Sequence, residues 1–180
     1  KGIADSATES RIAAAAKRYG YDSLKFERGD IAEYDANAPA DMIVTLHACD
    51  TATDYALHNA VCRGARMILS VPCCQHELNG QIASDKLKLI TRYGIIKERF
   101  AALMTDAIRA NLLESRGYKT QVLEFVDLSH TPKNLLIRAI KKRPALDNAG
   151  RIALDEAKAL MEEFSLEPTL YSLLYPHSAD

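Results

Sequence analysis

Hydrophobic positions are most densely grouped in residues Asp41–Glu77, where two short apolar runs flank one helical segment. The runs, Met42–Leu46 and Met67–Val71, are typical of strands covered on both faces of a parallel sheet. Between them, the apolar residues of Thr51–Arg63 recur near helical spacing, and Gly64 ends this segment. A strand, a helix and a strand within about 30 residues predict a right-handed βαβ unit.

Similar patterns predict further elements on both sides of this unit. They are a helix over residues 6–19, a strand over Leu24–Glu27, a long helix over Lys97–Arg116 and two final strands, Lys119–Val126 and Leu135–Lys141. The loop between the last two strands is short enough for an antiparallel hairpin. We therefore predict an α/β protein with a mostly parallel sheet and a C-terminal antiparallel strand pair.

The long helix is predicted to be amphipathic. Gly94 is expected to break the chain before it, and Gly117 to end it. Its apolar positions, Leu103 and Ala107 among them, are expected to face the sheet. Asp106 and Arg109 are expected to face solvent.

The character of the chain changes near its C-terminus. Residues Ala149–Phe164 predict an acidic amphipathic helix, and Pro168–Pro176 form a short apolar tail. We therefore divide the chain into residues 1–143 and 144–180. The second part is expected to pack on the first or on a partner, which would include a second copy of the chain in a homodimer.

Composition and charge narrow the possible classes of function. The chain has 180 residues and a net charge of −1, so any contact with RNA must use a local patch. Its four cysteines follow no secreted disulfide framework, which favours a reducing, cytoplasmic location. No apolar run is long enough to span a membrane, so no membrane partner is expected. Because the chain starts at Lys1 without an initiator Met, we expect it to be a piece of a longer protein.

Two clusters of reactive side chains follow the two central strands. His47, Cys49 and Asp50 come after the first strand, and the segment Pro72–His76, which contains two cysteines, comes after the second. The carboxyl ends of neighbouring parallel strands meet at one edge of a sheet, and open α/β sheets bind ligands at that edge. We therefore expect the active site there.

The same clusters carry a family resemblance. The sequence LHACD at Leu46–Asp50, followed by ATD at Ala52–Asp54 and VPCC at Val71–Cys74, resembles the LHACG-x-ATD … PCC signature of a methyltransferase family with bacterial RNA methylases among its members. It is more loosely similar to the HLCG-x-ATD … CCH pattern of tRNA 2′-O-methyltransferases. The block His130–Arg138 also looks like the bacterial branch, and the resemblance extends over residues 20–142.

The resemblance implies a three-layer Rossmann-like sheet, S-adenosylmethionine as the methyl donor and RNA, either tRNA or rRNA, as the substrate. The chain departs from the family at two points. Asp50 stands where the family usually has glycine, and the glycine-rich loop that holds the methionine part of the cofactor is absent. We therefore expect residues 1–143 to be a partial methyltransferase domain whose first strand lies upstream, and residues 1–180 alone to bind the cofactor weakly and to be inactive.

The resemblance also suggests cofactor-binding residues. Asp30 would accept from the 6-amino group of adenine, and the backbone N–H of Ile31 would reach a ring nitrogen. Asp5 would bind the ribose hydroxyls, and His47 and Ala48 would lie against the cofactor. Each acidic residue also has a structural interpretation, because Asp30 follows a glycine as turn aspartates do and Asp5 can begin a helix, the better-supported role for it.

On the substrate side, the candidate catalytic residues are Asp50, Cys73, Cys74 and His76. Asp50 could act as a base or orient the nucleophile, but it could also cap the helix that follows it. Side chains alternate along extended chain, so we expect at most one of the two cysteines to face the cleft. A buried cysteine pair is also consistent with core packing alone.

Three functional interpretations of the cysteines remain open. They line a pocket for a base whose oxygen or nitrogen is methylated, or, with Cys49, they act covalently as in RNA 5-methylcytosine enzymes. The third is zinc binding by His47, Cys49, His76 and one cysteine of the pair; its spacings are unlike those of common zinc sites, so no metal site is predicted. The alternative function is a zinc- or redox-linked binding module that keeps the fold without transferase activity.

Overall fold

The computed structural model describes residues 6–25, 29–33, 38–46, 48–127 and 134–176, with side chains from residue 10 onward. The chain forms two compact units, residues 1–35 and 36–180. The first unit contains helix α1, Ser6–Tyr19, which ends at Gly20.

The predicted strand Leu24–Glu27 is wrong in its described part. Leu24 and Lys25 have no strand conformation, and residues 26 and 27 lie outside the described chain. The physical reason is local. The N–H of Leu24 donates to the carbonyl of Tyr21 at 3.1 Å, so this segment closes a turn after α1 instead of extending.

The second unit is built on a four-stranded sheet. Its strands are β1 (Met42–Leu46), β2 (Met67–Val71), β3 (Tyr118–Glu124) and β4 (Leu135–Lys141), in the spatial order β1-β2-β4-β3. Strands β1 and β2 are parallel, and β4 lies antiparallel to both β2 and β3. The predicted parallel pair and the final antiparallel hairpin are therefore both present, and three of the four strands run in one direction.

Six helices and one short 3-10 helix complete this unit. The helices are α2 (Thr51–Cys62), α3 (His76–Gln81), α4 (Lys88–Thr91), α5 (Gly94–Ser115), α6 (Asn148–Phe164) and α7 (Thr169–Leu174), and the 3-10 helix is Asp85–Leu87. Gly94 begins the long helix instead of breaking the chain before it. Helix α6 packs on α5, and α7 packs on α2 and α5. None of the described helices combines the length and the apolar content needed to cross a lipid bilayer.

Helices cover one face of the sheet in this unit. Ile68 of β2 and Ile137 of β4 join Leu57 of α2 and Leu112 of α5 in one apolar cluster, so both helices lie on the same side. On the opposite face of β1, Met42, Val44 and Leu46 are 53%, 50% and 58% exposed. The described residues of this unit thus form two layers, in which β1 is covered on one face; a third layer stays a prediction.

Candidate active site at the carboxyl edge of the parallel strands

The register of β1 and β2 brings the two reactive segments together. Leu46 pairs with Val71 at the end of the parallel ladder, so the loops that follow both strands leave the sheet side by side. A hydrogen bond from the N–H of Asp50 to the carbonyl of Cys74, 3.1 Å long, ties the loops to each other. The first loop is also fixed to α2, because the Thr53 hydroxyl donates to the carbonyl of Ala48.

Asp50 has an unusual backbone conformation. Its φ of 54° and ψ of −127° lie in a region that favours glycine, which gives a physical reason for the glycine in the related signature. Such a conformation costs about 1–3 kcal/mol and persists only where the surroundings impose it. Here Asp50 donates to Cys74, and its carbonyl accepts from Nη2 of Arg109 at 3.0 Å.

The carboxylate of Asp50 caps a helix, but not the one that was expected. It makes no capping hydrogen bond to α2, although it occupies the N-cap position of that helix. Its Oδ1 instead accepts from the N–H of Glu77 in the first turn of α3, at 3.0 Å. Among the described residues, no donor reaches Oδ2. Asp50 therefore joins the two loops through its side chain while one carboxylate oxygen stays available to a substrate.

The three cysteines of the two loops form one cluster. The Sγ atoms of Cys49 and Cys73 are 3.0 Å apart, and the Sγ atoms of Cys49, Cys73 and Cys74 all lie within 4.8 Å of one another. The expectation that only one of the paired cysteines faces this region is wrong. Residues 72–75 have left the strand, so the alternation of side chains no longer applies.

Burial, followed by hydrogen bonds with the neighbouring thiols of Cys49 and Cys74, raises the pKa of Cys73 to about 12. The Cys73 thiol is therefore protonated at neutral pH. Because the thiolate is the nucleophilic form, this environment disfavours covalent attack by Cys73.

A buried charged network on the interior side of the two loops holds them in place. Arg109 of α5 is 2% exposed and forms a bidentate ion pair with Asp54 of α2, with Nε–Oδ1 and Nη2–Oδ2 distances of 2.8 and 2.9 Å. Its Nη1 donates to Oδ1 of Asp106 at 3.1 Å, and Oδ2 of Asp106 accepts from Nε2 of Gln75. The network thus connects α2, α5 and both loops, because Arg109 also reaches the carbonyl of Asp50.

This network corrects the predicted orientation of α5. Asp106 and Arg109 are buried, whereas Leu103 is 59% exposed and Ala107 is exposed. The pair of unlike charges at positions i and i+3 of the helix was the signal available in the sequence. Its meaning depends on Asp54, which is distant from both residues in sequence.

The carboxyl groups of Asp54 and Asp106 share one guanidinium in this site. Burial raises the pKa of Asp54 and of Asp106, and the ion pairs with Arg109 oppose that shift only in part. Burial lowers the pKa of Arg109, but its bonds to Asp54 and Asp106 outweigh this effect and raise it. Arg109 is therefore a permanent cation that holds both helices.

The structure locates the remaining candidates as follows. His76 is exposed at the start of α3, and Ala48 is half-buried after β1. Asp30 and Ile31 are exposed in the unit 1–35, where Oδ1 of Asp30 accepts from the N–H of Ala32 at 3.0 Å, as in an Asx turn. Asp5 and His47 lie outside the described residues.

A cavity of about 550 Å³ opens beside the cysteine loop. It lies between the ends of β2 and β3, the start of β4 and the first turns of α5, and its lining includes Pro72, Gln75, Asp106, Glu124 and Asn134. Gln75 and Asn134 are buried, and both carry amide groups. This volume is within the range of small-molecule sites and can hold one nucleotide.

Comparison with known proteins relates part of the chain to a known family. Residues 4–81 match the model of a family described as a methyltransferase domain. No curated protein and no solved structure matches the chain significantly. The matched segment ends with α3 and includes the loops that carry Asp50 and the three clustered cysteines. The match, which covers less than half of the 180 residues, supports a relationship to methyltransferases.

Proposed function

We propose that the protein transfers a methyl group from S-adenosylmethionine to an oxygen or a nitrogen of RNA. The family match supports the transferase class, and the motif resemblance supports the cofactor and an RNA substrate. The observation that carries the proposal is the convergence of Asp50, Cys73 and Cys74 at the edge where β1 and β2 end. Ligands bind at this edge in open α/β sheets.

The donor set at Asp30 and Ile31 fits the adenine part of the cofactor. Both residues are exposed, and a carboxylate followed by a backbone N–H offers an acceptor and a donor to the edge of adenine. S-adenosylmethionine supplies an electrophilic methyl group when it is bound. The motif resemblance assigns the ribose hydroxyls to Asp5 and contacts with the cofactor to His47 and Ala48.

Asp50 is the best-placed base among the described residues. Its backbone is fixed by Cys74 and Arg109, and its Oδ1 by Glu77, so Oδ2 can accept a proton from the attacking hydroxyl or amine without rearrangement of the loop. The thiols of Cys73 and Cys74 shape the entrance to the site. The neighbouring cavity holds an unstacked base, with the amides of Gln75 and Asn134 in its wall.

A methyl-label experiment tests this function. The protein encoded by the complete open reading frame is purified and incubated with S-adenosylmethionine labelled in its methyl group and with total RNA, and the RNA is digested to nucleosides. We expect label in a nucleoside methylated on oxygen or nitrogen. Label in protein or in a small molecule would refute the RNA substrate, and label at carbon 5 of cytosine would refute the proposed acceptor atom.

The alternative of a binding module without transferase activity is not favoured. The match covers the loops that would carry the chemistry, and it is a match to a methyltransferase domain. Binding of the cofactor without transfer to RNA, protein or a small molecule would restore that alternative.

A further inference from the structure

The cluster of thiols has a geometry that the methyl-transfer proposal does not use. Cys49 comes from the loop after β1, and Cys73 and Cys74 come from the loop after β2. Their Sγ atoms all lie within 4.8 Å of one another, and the closest pair, Cys49 and Cys73, is separated by 3.0 Å. Cys49 is exposed and the other two are half-buried, so an ion can reach all three from solvent.

These separations are close to the spacing that a bound zinc ion requires. With Zn–S bonds of about 2.3 Å and tetrahedral angles, ligand sulfurs lie roughly 3.8 Å apart. The sulfurs of Cys49 and Cys73 lie closer than that value, and no pair of the three sulfurs exceeds it by more than about 1 Å.

The loops that carry the thiols are already fixed in place. The hydrogen bond from Asp50 to the carbonyl of Cys74 joins them, and the bond from the N–H of Glu77 to Oδ1 of Asp50 joins them again. Arg109 holds the first loop from the buried side. A ligand set that is held before the ion arrives loses little conformational freedom on binding.

We propose that Cys49, Cys73 and Cys74 form a zinc site with three thiolate ligands and a fourth position filled by water. Three thiolates select a soft or borderline divalent ion over magnesium or calcium. Binding forms three Zn–S bonds, and each thiol that binds releases its proton to solvent. This ligand set differs from the mixed histidine and cysteine set considered from the sequence, and it does not depend on the methyl-transfer function.

Metal titration of the reduced protein tests the site. After a thiol count has confirmed four free cysteines, zinc is titrated against a chromophoric chelator, and cobalt(II) is added separately to record thiolate-to-metal charge-transfer absorption. We expect one ion per chain. Cys49→Ser, Cys73→Ser and Cys74→Ser should each weaken zinc affinity at least about tenfold, since even the loss of groups that only support metal ligands costs 10–100-fold.

Cys62→Ser is the matched control. Cys62 is the fourth cysteine of the chain and lies in α2, where its Sγ is 3.4 Å from Nε2 of His58 and outside the cluster. Its replacement should leave zinc affinity unchanged. An equal loss in Cys62→Ser, or a wild-type protein that binds no zinc or gives no charge-transfer band, would overturn the proposal.

Alkylation of the wild-type protein provides a test that does not depend on variants. Iodoacetamide labelling followed by peptide mass spectrometry is compared with and without zinc. We expect zinc to protect Cys49, Cys73 and Cys74 while Cys62 is labelled at the same rate. Equal labelling of all four cysteines in both conditions would contradict the site.

Discussion

Two polar clusters lie next to each other under the carboxyl edge of the sheet, and they are built in opposite ways. In the buried cluster, Arg109 is 2% exposed and both of its carboxylate partners are buried. In the thiol cluster, Cys49 is exposed and its neighbours are half-buried. The buried cluster joins helices and holds the loops, whereas the thiol cluster presents sulfur atoms to solvent. The contrast indicates that support of the loops and access to ligands belong to different residues at this edge.

The largest expected effect is a loss of folding stability when the buried cluster is disrupted. Arg109→Met leaves Asp54 and Asp106 buried without a counter-charge, so the free energy of unfolding should fall by about 3–5 kcal/mol. Arg99→Met, at an exposed arginine of the same helix, should change it by less than about 0.5 kcal/mol. Urea denaturation measures both. Similar losses in the two variants would mean that Arg109 does not hold the helices as described.

The next effect is a pH-dependent change in folding stability when Asp106 is replaced. Asp106 has a raised pKa because it is buried, so it favours proton uptake on folding, and its contribution to stability falls as the pH rises through its folded pKa. Asn does not titrate, and its amide can donate to Oε1 of Gln75, which no donor reaches among the described residues. Asp106→Asn should therefore gain stability relative to the wild type as the pH rises above about 4, the ordinary pKa of an aspartate, and through the raised pKa of Asp106.

Asp155→Asn is the control for this experiment, because Asp155 is exposed on α6 and its replacement removes the same charge from the surface. The denaturation midpoints of the two variants and of the wild type are compared at about pH 4 and at about pH 7. If the stability of both variants shows the same pH dependence relative to the wild type, the buried carboxyl of Asp106 is not the group that titrates.

The smallest expected effect is on the thiol cluster. Because the Cys73 thiol has a pKa of about 12 and stays protonated at neutral pH, Cys73→Ser and Cys74→Ser should each lower methyl transfer by less than about tenfold. Loss of a covalent nucleophile costs several orders of magnitude. RNA that contains 5-fluorocytidine would trap a covalent adduct. An adduct that disappears in either variant would show that a cysteine attacks the base.

The sequence predicted the elements that depend on local patterns. The runs Met42–Leu46 and Met67–Val71 are the parallel strands, and the final two strands form the antiparallel pair. The strand predicted to begin at Leu24 was wrong at that residue, because an apolar residue after a helix can close a turn as well as begin a strand.

The contacts that hold the two loops of the site could not be predicted from local sequence patterns. The burial of Arg109 depends on Asp54, which lies 55 positions earlier in the chain, and no periodicity links the two. The only sequence signal for the backbone strain at Asp50 was an aspartate at the position where the related signature has glycine. The direction of its carboxylate, toward α3 instead of α2, depends on the register of the two strands.

The central claim is that Asp50 serves an RNA methyltransferase as its base, and Asp50→Asn tests it most directly. Asparagine tolerates a positive φ and keeps an acceptor for Glu77, but it cannot take a proton. Cells that lack the gene are complemented with the wild type or with Asp50→Asn, and methylated nucleosides of their RNA are measured by mass spectrometry. We predict that one methylated nucleoside is absent without the gene, returns with the wild type and, because general-base catalysis contributes about 10²–10⁴-fold, stays near background with Asp50→Asn. Full restoration by Asp50→Asn, or no nucleoside that depends on the gene, would contradict the account.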